Sequence, residues 1–154
     1  MNFYPAILNN RIMWVALLAW VIAQTAKLIL NFMVERKFDY NLLMSSGGFP
    51  SSHTAIVSAL AIEVGKLQGW DSPLFAFSVV LAVIVMYDAA GVRRAAGMHA
   101  KILNYLVDRL SQNHLIDRLS NGQEHQERLK ELIGHTPFEV FGGAILGCVL
   151  GLLL

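Results

Sequence analysis

Four apolar runs, at residues 12–34, 52–67, 73–90 and 138–154, limit what this chain can fold into. Each is close to the roughly 17 to 25 mostly apolar residues that a helix needs to cross a bilayer. Of the 154 residues, 55% are hydrophobic and 15% charged, and the mean hydropathy is +0.50. Soluble domains carry about a quarter charged residues. The expectation is therefore an all-α fold, an integral membrane helical bundle of about four transmembrane helices forming a single membrane-embedded domain over 1–154. The first run is longer than the apolar core of a signal peptide and lacks a small-residue cleavage site after it, so it is read as a span. Glu63 and Lys66 interrupt the second run one turn apart, where they are expected to pair and reach the interface.

Residues 91–136 differ in composition and form a polar excursion between the third and fourth spans. Met98, Ile102, Leu103, Leu106, Val107 and Leu110 recur at helical spacing, with Lys101, Asp108 and Arg109 off that face. This pattern predicts an amphipathic helix over 95–110 that caps the bundle or lies on the membrane surface. A loop is expected over 111–126 and a short helix over 127–133.

If each run crosses once, the end of the first span, the start of the second, the end of the third and the approach to the fourth share one membrane face. Apart from Lys27, that face has nine Lys and Arg residues, against Arg11 and Lys66 on the other. The positive-inside bias then makes it cytoplasmic, and the expected location is the cell inner membrane. The net charge of +1 and the lack of a basic, aromatic-interleaved tract predict no nucleic-acid partner. Cys148 lies in an apolar run and has no second cysteine to pair with. Gly143, Gly147 and Gly151 make a small-residue stripe, suited to close packing inside the bundle or to a homo-oligomer seam.

Two stretches on the polar face carry chemistry. In GGFPSSHTA, residues 47–55, the glycines permit a tight turn, and Ser51 or Ser52 caps the helix that follows. A helix start also offers unpaired amides and the positive end of its dipole, so an anion could sit there with Ser51, Ser52 and His53 around it. In GHTPFEVFGG, residues 134–143, Thr136 to Glu139 fits a capping box with Pro137 at the first helical position. The same Glu139 could instead hold His135 in one tautomer, as orienting acids do in catalytic triads. No pair among His53, Asp88, His135 and Glu139 has a tight metal-ligand spacing. His99, His114 and His125 are read as surface or loop residues.

Together the stretches resemble the type 2 phosphatidic acid phosphatase superfamily. Pro50-Ser51-Ser52-His53 is similar to its Pro-Ser-Gly-His motif, and His135-x-x-x-Glu139-Val140 with Gly142 to its His-x-x-x-Asp motif. The superfamily's Lys and Arg-Pro motif is absent, and Leu129 stands where its third motif begins with Ser-Arg. YDAAGVRRAAG, followed by ILN, is similar to the shorter, divergent branch. The resemblance implies hydrolysis of a phosphorylated lipid without metal or cofactor, through a phosphohistidine. His135 would be the nucleophile, oriented by Glu139, and His53 would protonate the leaving group. Arg94, Arg93, Lys27, Ser51 and Ser52 would bind phosphate. A pocket at the membrane face favours an amphiphile, so the expected partners are the lipid bilayer and a lipid or prenyl phosphate.

Overall fold

The computed structural model describes residues 7–36, 47–112, 129 and 134–154, and the regular elements among them are all α-helices. They are α1 (Arg11–Glu35), α2 (Ser52–Gln68), α3 (Pro73–Ala90), α4 (Val92–Gln112) and α5 (Pro137–Leu153). The four apolar runs are α1, α2, α3 and α5, each within one residue of its expected bounds. The amphipathic α4 begins and ends slightly beyond 95–110, so residues 111 and 112 are helix where a loop was expected. The remainder of that loop and the short helix at 127–133 lie outside the described residues, apart from residue 129.

Local chemistry explains the sharp ends. Asn10, Ser51, Ser72 and Thr136 cap the starts of α1, α2, α3 and α5, each side chain accepting from a backbone amide in the first turn. Proline follows at the first helical position of α3 and α5, where its missing N–H costs nothing. Arg36 ends α1 in the left-handed region at φ 53°, and its amide donates to the Phe32 carbonyl.

Helix α2 is the centre of the bundle and packs against α1, α3 and α5. Its buried positions are mostly small: Ser52, Ala55, Ser58, Ala59, Ala61 and Gly65. Ala16, Ala19 and Ala23 of α1 are buried as well. Short side chains let helix backbones approach closely, the usual means of helix association in lipid, where no hydrophobic force separates protein from solvent. On α5 the stripe of Gly143, Gly147 and Gly151 meets α2. A Cβ at Gly147 would stand 2.3 Å from the Ala55 carbonyl oxygen, and one at Gly143 would stand 2.3 Å from that of Ser51. The stripe is thus taken up inside the chain.

The apolar surface faces outward. Only 33% of the apolar window of α1 and 17% of that in α3 is buried, and Trp14, Phe77, Val80, Ile84 and Phe141 are exposed. A helix that is apolar on its outer face as well as its inner one requires lipid around it, so the chain is a helical membrane bundle.

At the end of the bundle away from the two motifs, Glu63 is fully buried. Its Oε1 lies 2.7 Å from Arg11 Nε, and its Oε2 lies 3.1 Å from Lys66 Nζ. The expected pairing of Glu63 with Lys66 is present, with the carboxylate buried inside the bundle and Arg11 of α1 closing the group. Both cations also donate to the C-terminal end of α5, Arg11 to the Leu154 carbonyl and Lys66 to that of Gly151 at 2.9 Å. The carbonyls there carry the negative end of the α5 dipole, which favours cations.

Gly147→Ala tests the close contact. Alanine gains about 0.8–1 kcal/mol of helix propensity over glycine. Forcing α5 off the Ala55 carbonyl costs about 1–3 kcal/mol. The clash is with backbone, which cannot rotate away, so a net loss is expected. Thermal unfolding in detergent should show a lowered midpoint for Gly147→Ala and little change for Ile145→Ala on the exposed face.

Candidate functional site

The site forms where α1 ends and α2 and α5 begin. Ser51 Oγ accepts from the Thr54 amide at 3.4 Å and the Thr54 hydroxyl at 3.0 Å, so Ser51 is the cap and the buried Ser52 is the first helical residue. The Ser51 amide donates to the Glu139 carbonyl oxygen at 3.0 Å, tying the mouth of α2 to the first turn of α5. The Phe49–Pro50 peptide is cis, and the Phe49 ring stacks on Phe138 at 5.3 Å between centroids. Gly48 has φ +95°, a conformation that L side chains rarely adopt. A Cβ there would stand 3.2 Å from Lys27 Cδ, so glycine lets the loop pass over the lysine stem.

Glu139 makes the contacts that both the capping reading and the orienting reading require. Its Oε2 accepts from the Thr136 amide at 2.9 Å while Thr136 Oγ1 accepts from the Glu139 amide at 3.3 Å, which completes the capping box. The same Oε2 lies 3.2 Å from His135 Nδ1. With a carboxylate at Nδ1, the neutral ring carries its proton there and leaves the lone pair on Nε2. His135 is 1% exposed, and Nε2 has no hydrogen-bond partner among the described residues. The His53 ring stands edge-on to it, with 6.2 Å between centroids.

Lys27 is 2% exposed, and its Nζ also lacks a hydrogen-bond partner among the described residues. Its ammonium is near enough to act electrostatically on both Glu139 and His135. Lys27, Leu30, Asn31, Val34, Gly48 and Phe49 line a cavity of about 200 Å³. Asn31 was not singled out from sequence, although Gln24, Lys27 and Asn31 fall three and four residues apart on one polar stripe of an apolar helix.

Lys27, Ser51, His53, His135 and Glu139 therefore gather at one end of the bundle, with Ser52 in the turn between. Arg94 on α4 is exposed and has no hydrogen bond or ion pair among the described residues. The side chain of Arg93 lies outside the described residues. No three His, Cys, Asp or Glu side chains among the described residues are grouped to hold a metal ion.

A family model described as "Divergent PAP2 family" matches residues 8–150. The chain belongs to this family. The match spans both histidine motifs and all five helices apart from the last residues of α5. A relative from Bacillus subtilis (strain 168), named "Uncharacterized membrane protein YuiD", is 43% identical over 153 residues, covering 96% of each chain. No solved structure matches. A divergent PAP2 chain with outward-facing apolar helices and a membrane protein as a relative is itself a membrane protein.

Burial pushes the His135 imidazole below the ordinary histidine value of 6.5. The hydrogen bond to Glu139 opposes this shift, while the charge of Lys27 reinforces it. The fold thus favours the neutral ring. The stability this provides is present above the unfolded-state pKa of about 6.5 and is lost as pH falls through the lower folded value. NMR titration of the labelled protein in micelles should show His135 taking up its proton at lower pH than free histidine. His135→Gln should flatten the acid side of the stability profile.

Proposed function

We propose that the chain is a membrane phosphatase that hydrolyses the phosphate ester of a lipid or prenyl phosphate, independently of metal, through a phosphohistidine on His135. One observation carries the reading. The buried Nε2 of His135 has no hydrogen-bond partner among the described residues, its other nitrogen is held by a carboxylate, and a second histidine stands at its edge.

In this reading Nε2 attacks phosphorus in line, the P–O ester bond breaks, and His53 gives its proton to the departing alkoxide. Neutral His53 then takes a proton from water as that water attacks the phosphohistidine, releasing phosphate and restoring both rings. Glu139 stabilises the positive charge that builds on His135. Lys27, the Ser51 and Ser52 hydroxyls and the amides at the start of α2 bind the phosphoryl oxygens, with Arg94 and Arg93 as further cations. The site faces the cytoplasm, on the side where Lys and Arg concentrate.

An amphiphile suits the surroundings. An apolar groove of about 520 Å³ lies between α1 and α3 with α2 as its floor, and it reaches Ile56, one turn from His53. A second reading, a module that binds or moves phosphorylated lipids without turnover, is favoured by the exposed Arg94 and by Glu139 standing where the superfamily has aspartate.

Phosphate release from detergent-solubilised protein decides between them, using phosphatidate, phosphatidylglycerophosphate and prenyl phosphates with and without chelator. Chelator-resistant release that orthovanadate inhibits is expected; tight binding with no release supports the second reading. His135→Ala should abolish turnover and keep the fold, and activity in that variant rules out the phosphohistidine. His53→Ala should lose about 10²-fold or more with an alkyl phosphate and much less with p-nitrophenyl phosphate, whose leaving group needs little protonation. Glu139→Gln should lower the rate more than it weakens phosphate binding, because it retains the shape and removes the charge.

A further inference from the structure

Helix α4 has three distinct faces. At about 100° per residue, Gly97, Ala100, Asn104 and Val107 fall on one side. Gly97 and Ala100 are buried and Asn104 and Val107 are half-buried, so this side faces the protein. Asn104 there donates through Nδ2 to the Leu129 carbonyl oxygen at 2.9 Å and accepts from the Leu129 amide at 3.1 Å. The chain returning toward α5 is thus fastened to α4 on that face. Val92, Ile102, Leu103 and Leu106 fall on a second face and are 61%, 54%, 48% and 49% exposed, with the exposed His99 among them and Arg109 at the edge. Arg94, Lys101 and Asp108 fall on the third and are also exposed.

We infer that α4 is an interfacial helix, with its exposed apolar face seated in the boundary between headgroups and acyl chains of the bilayer that the bundle spans. Continuity is the first reason. Only Gly91 separates α4 from α3, whose last turns expose Val83, Ile84 and Tyr87, and Val92 directly after the break is exposed as well. The start of α4 is therefore fixed at the depth where a span ends. Charge is the second reason. Lys101 and Arg94 lie on the edge away from the apolar face, where an interfacial helix meets headgroups and water. Leu129 is the third. It is tied near the side opposite Ile102 and Leu106, so this contact does not cover their face. This inference does not depend on the phosphatase reading.

Spin labels at single cysteines in a Cys148→Ser background test it, with the full chain reconstituted in phosphatidylcholine–phosphatidylglycerol vesicles. Labels replacing Ile102 and Leu106 should be several-fold more accessible to dissolved oxygen than to a water-soluble nickel complex. Labels replacing Lys101 and Asp108 should show the reverse. Labels at 102 and 106 that meet the nickel complex as readily as those at 101 and 108 would overturn the inference. So would labels at 102 and 106 shielded from both reagents, since a second copy, another protein or a segment of this chain would then cover the face. A phosphate-release assay that fails while the labels alternate as expected would count against the phosphatase reading alone.

Discussion

The bundle depends on the contact between the glycine stripe of α5 and the backbone of α2. Ordinary side chains hold helix axes about 8–10 Å apart. With no Cβ at residues 143, 147 and 151, α5 instead lies against the Ser51 and Ala55 carbonyls and against Ile62. The first of these contacts is at the mouth of α2, so the packing also sets the register of the site. His135 precedes α5 by two residues, and His53 is the second residue of α2. Their rings meet because the two helix starts are held side by side, with the Ser51 amide on the Glu139 carbonyl fixing the last degree of freedom.

Charges inside such a bundle need reasons. Glu63 has one: two cations flank it, and they also satisfy carbonyls at the end of α5. A buried ion pair of this kind adds little net stability over apolar packing, but removing one member leaves an uncompensated charge and costs several kcal/mol. It therefore fixes α1, α2 and α5 in one arrangement. Lys27 is different. It is buried at the opposite end, within electrostatic reach of His135 and Glu139, with no hydrogen-bond partner among the described residues. Ionisable groups at membrane depth mark functional sites more often than structural ones, which is why Lys27 is taken into the proposed phosphate site.

The helices were legible because each apolar run is bounded by residues whose chemistry stops or starts a helix: Asn10, Ser51, Ser72 with Pro73, and Thr136 with Pro137. The site was legible to the extent that its residues are local. Ser51 to His53 and His135 to Glu139 each fall within one turn, and the two apolar runs between them, read as two crossings, bring both stretches to one face. Long-range pairings left no such trace. Arg11 and Glu63 are 52 residues apart, and nothing in either neighbourhood announces the other. The polar stripe of Gln24, Lys27 and Asn31 was present in the sequence, but α1 reads as an apolar run in which a lysine near the end can equally reach toward headgroups.

Glutamate at position 139 shows why a departure from the superfamily pattern need not be a loss. A capping box requires a side chain at the third helical position long enough to reach back to the cap's amide, and glutamate or glutamine fills that place. Here the carboxylate does so at 2.9 Å while the same oxygen stays 3.2 Å from His135 Nδ1. One oxygen thus starts the helix and sets the tautomer of the imidazole. Aspartate is shorter by a methylene, and from this backbone position it would have to give up part of that reach. The residue that looks like an erosion of the motif is the one that lets a short chain combine the start of a span with the orientation of its histidine.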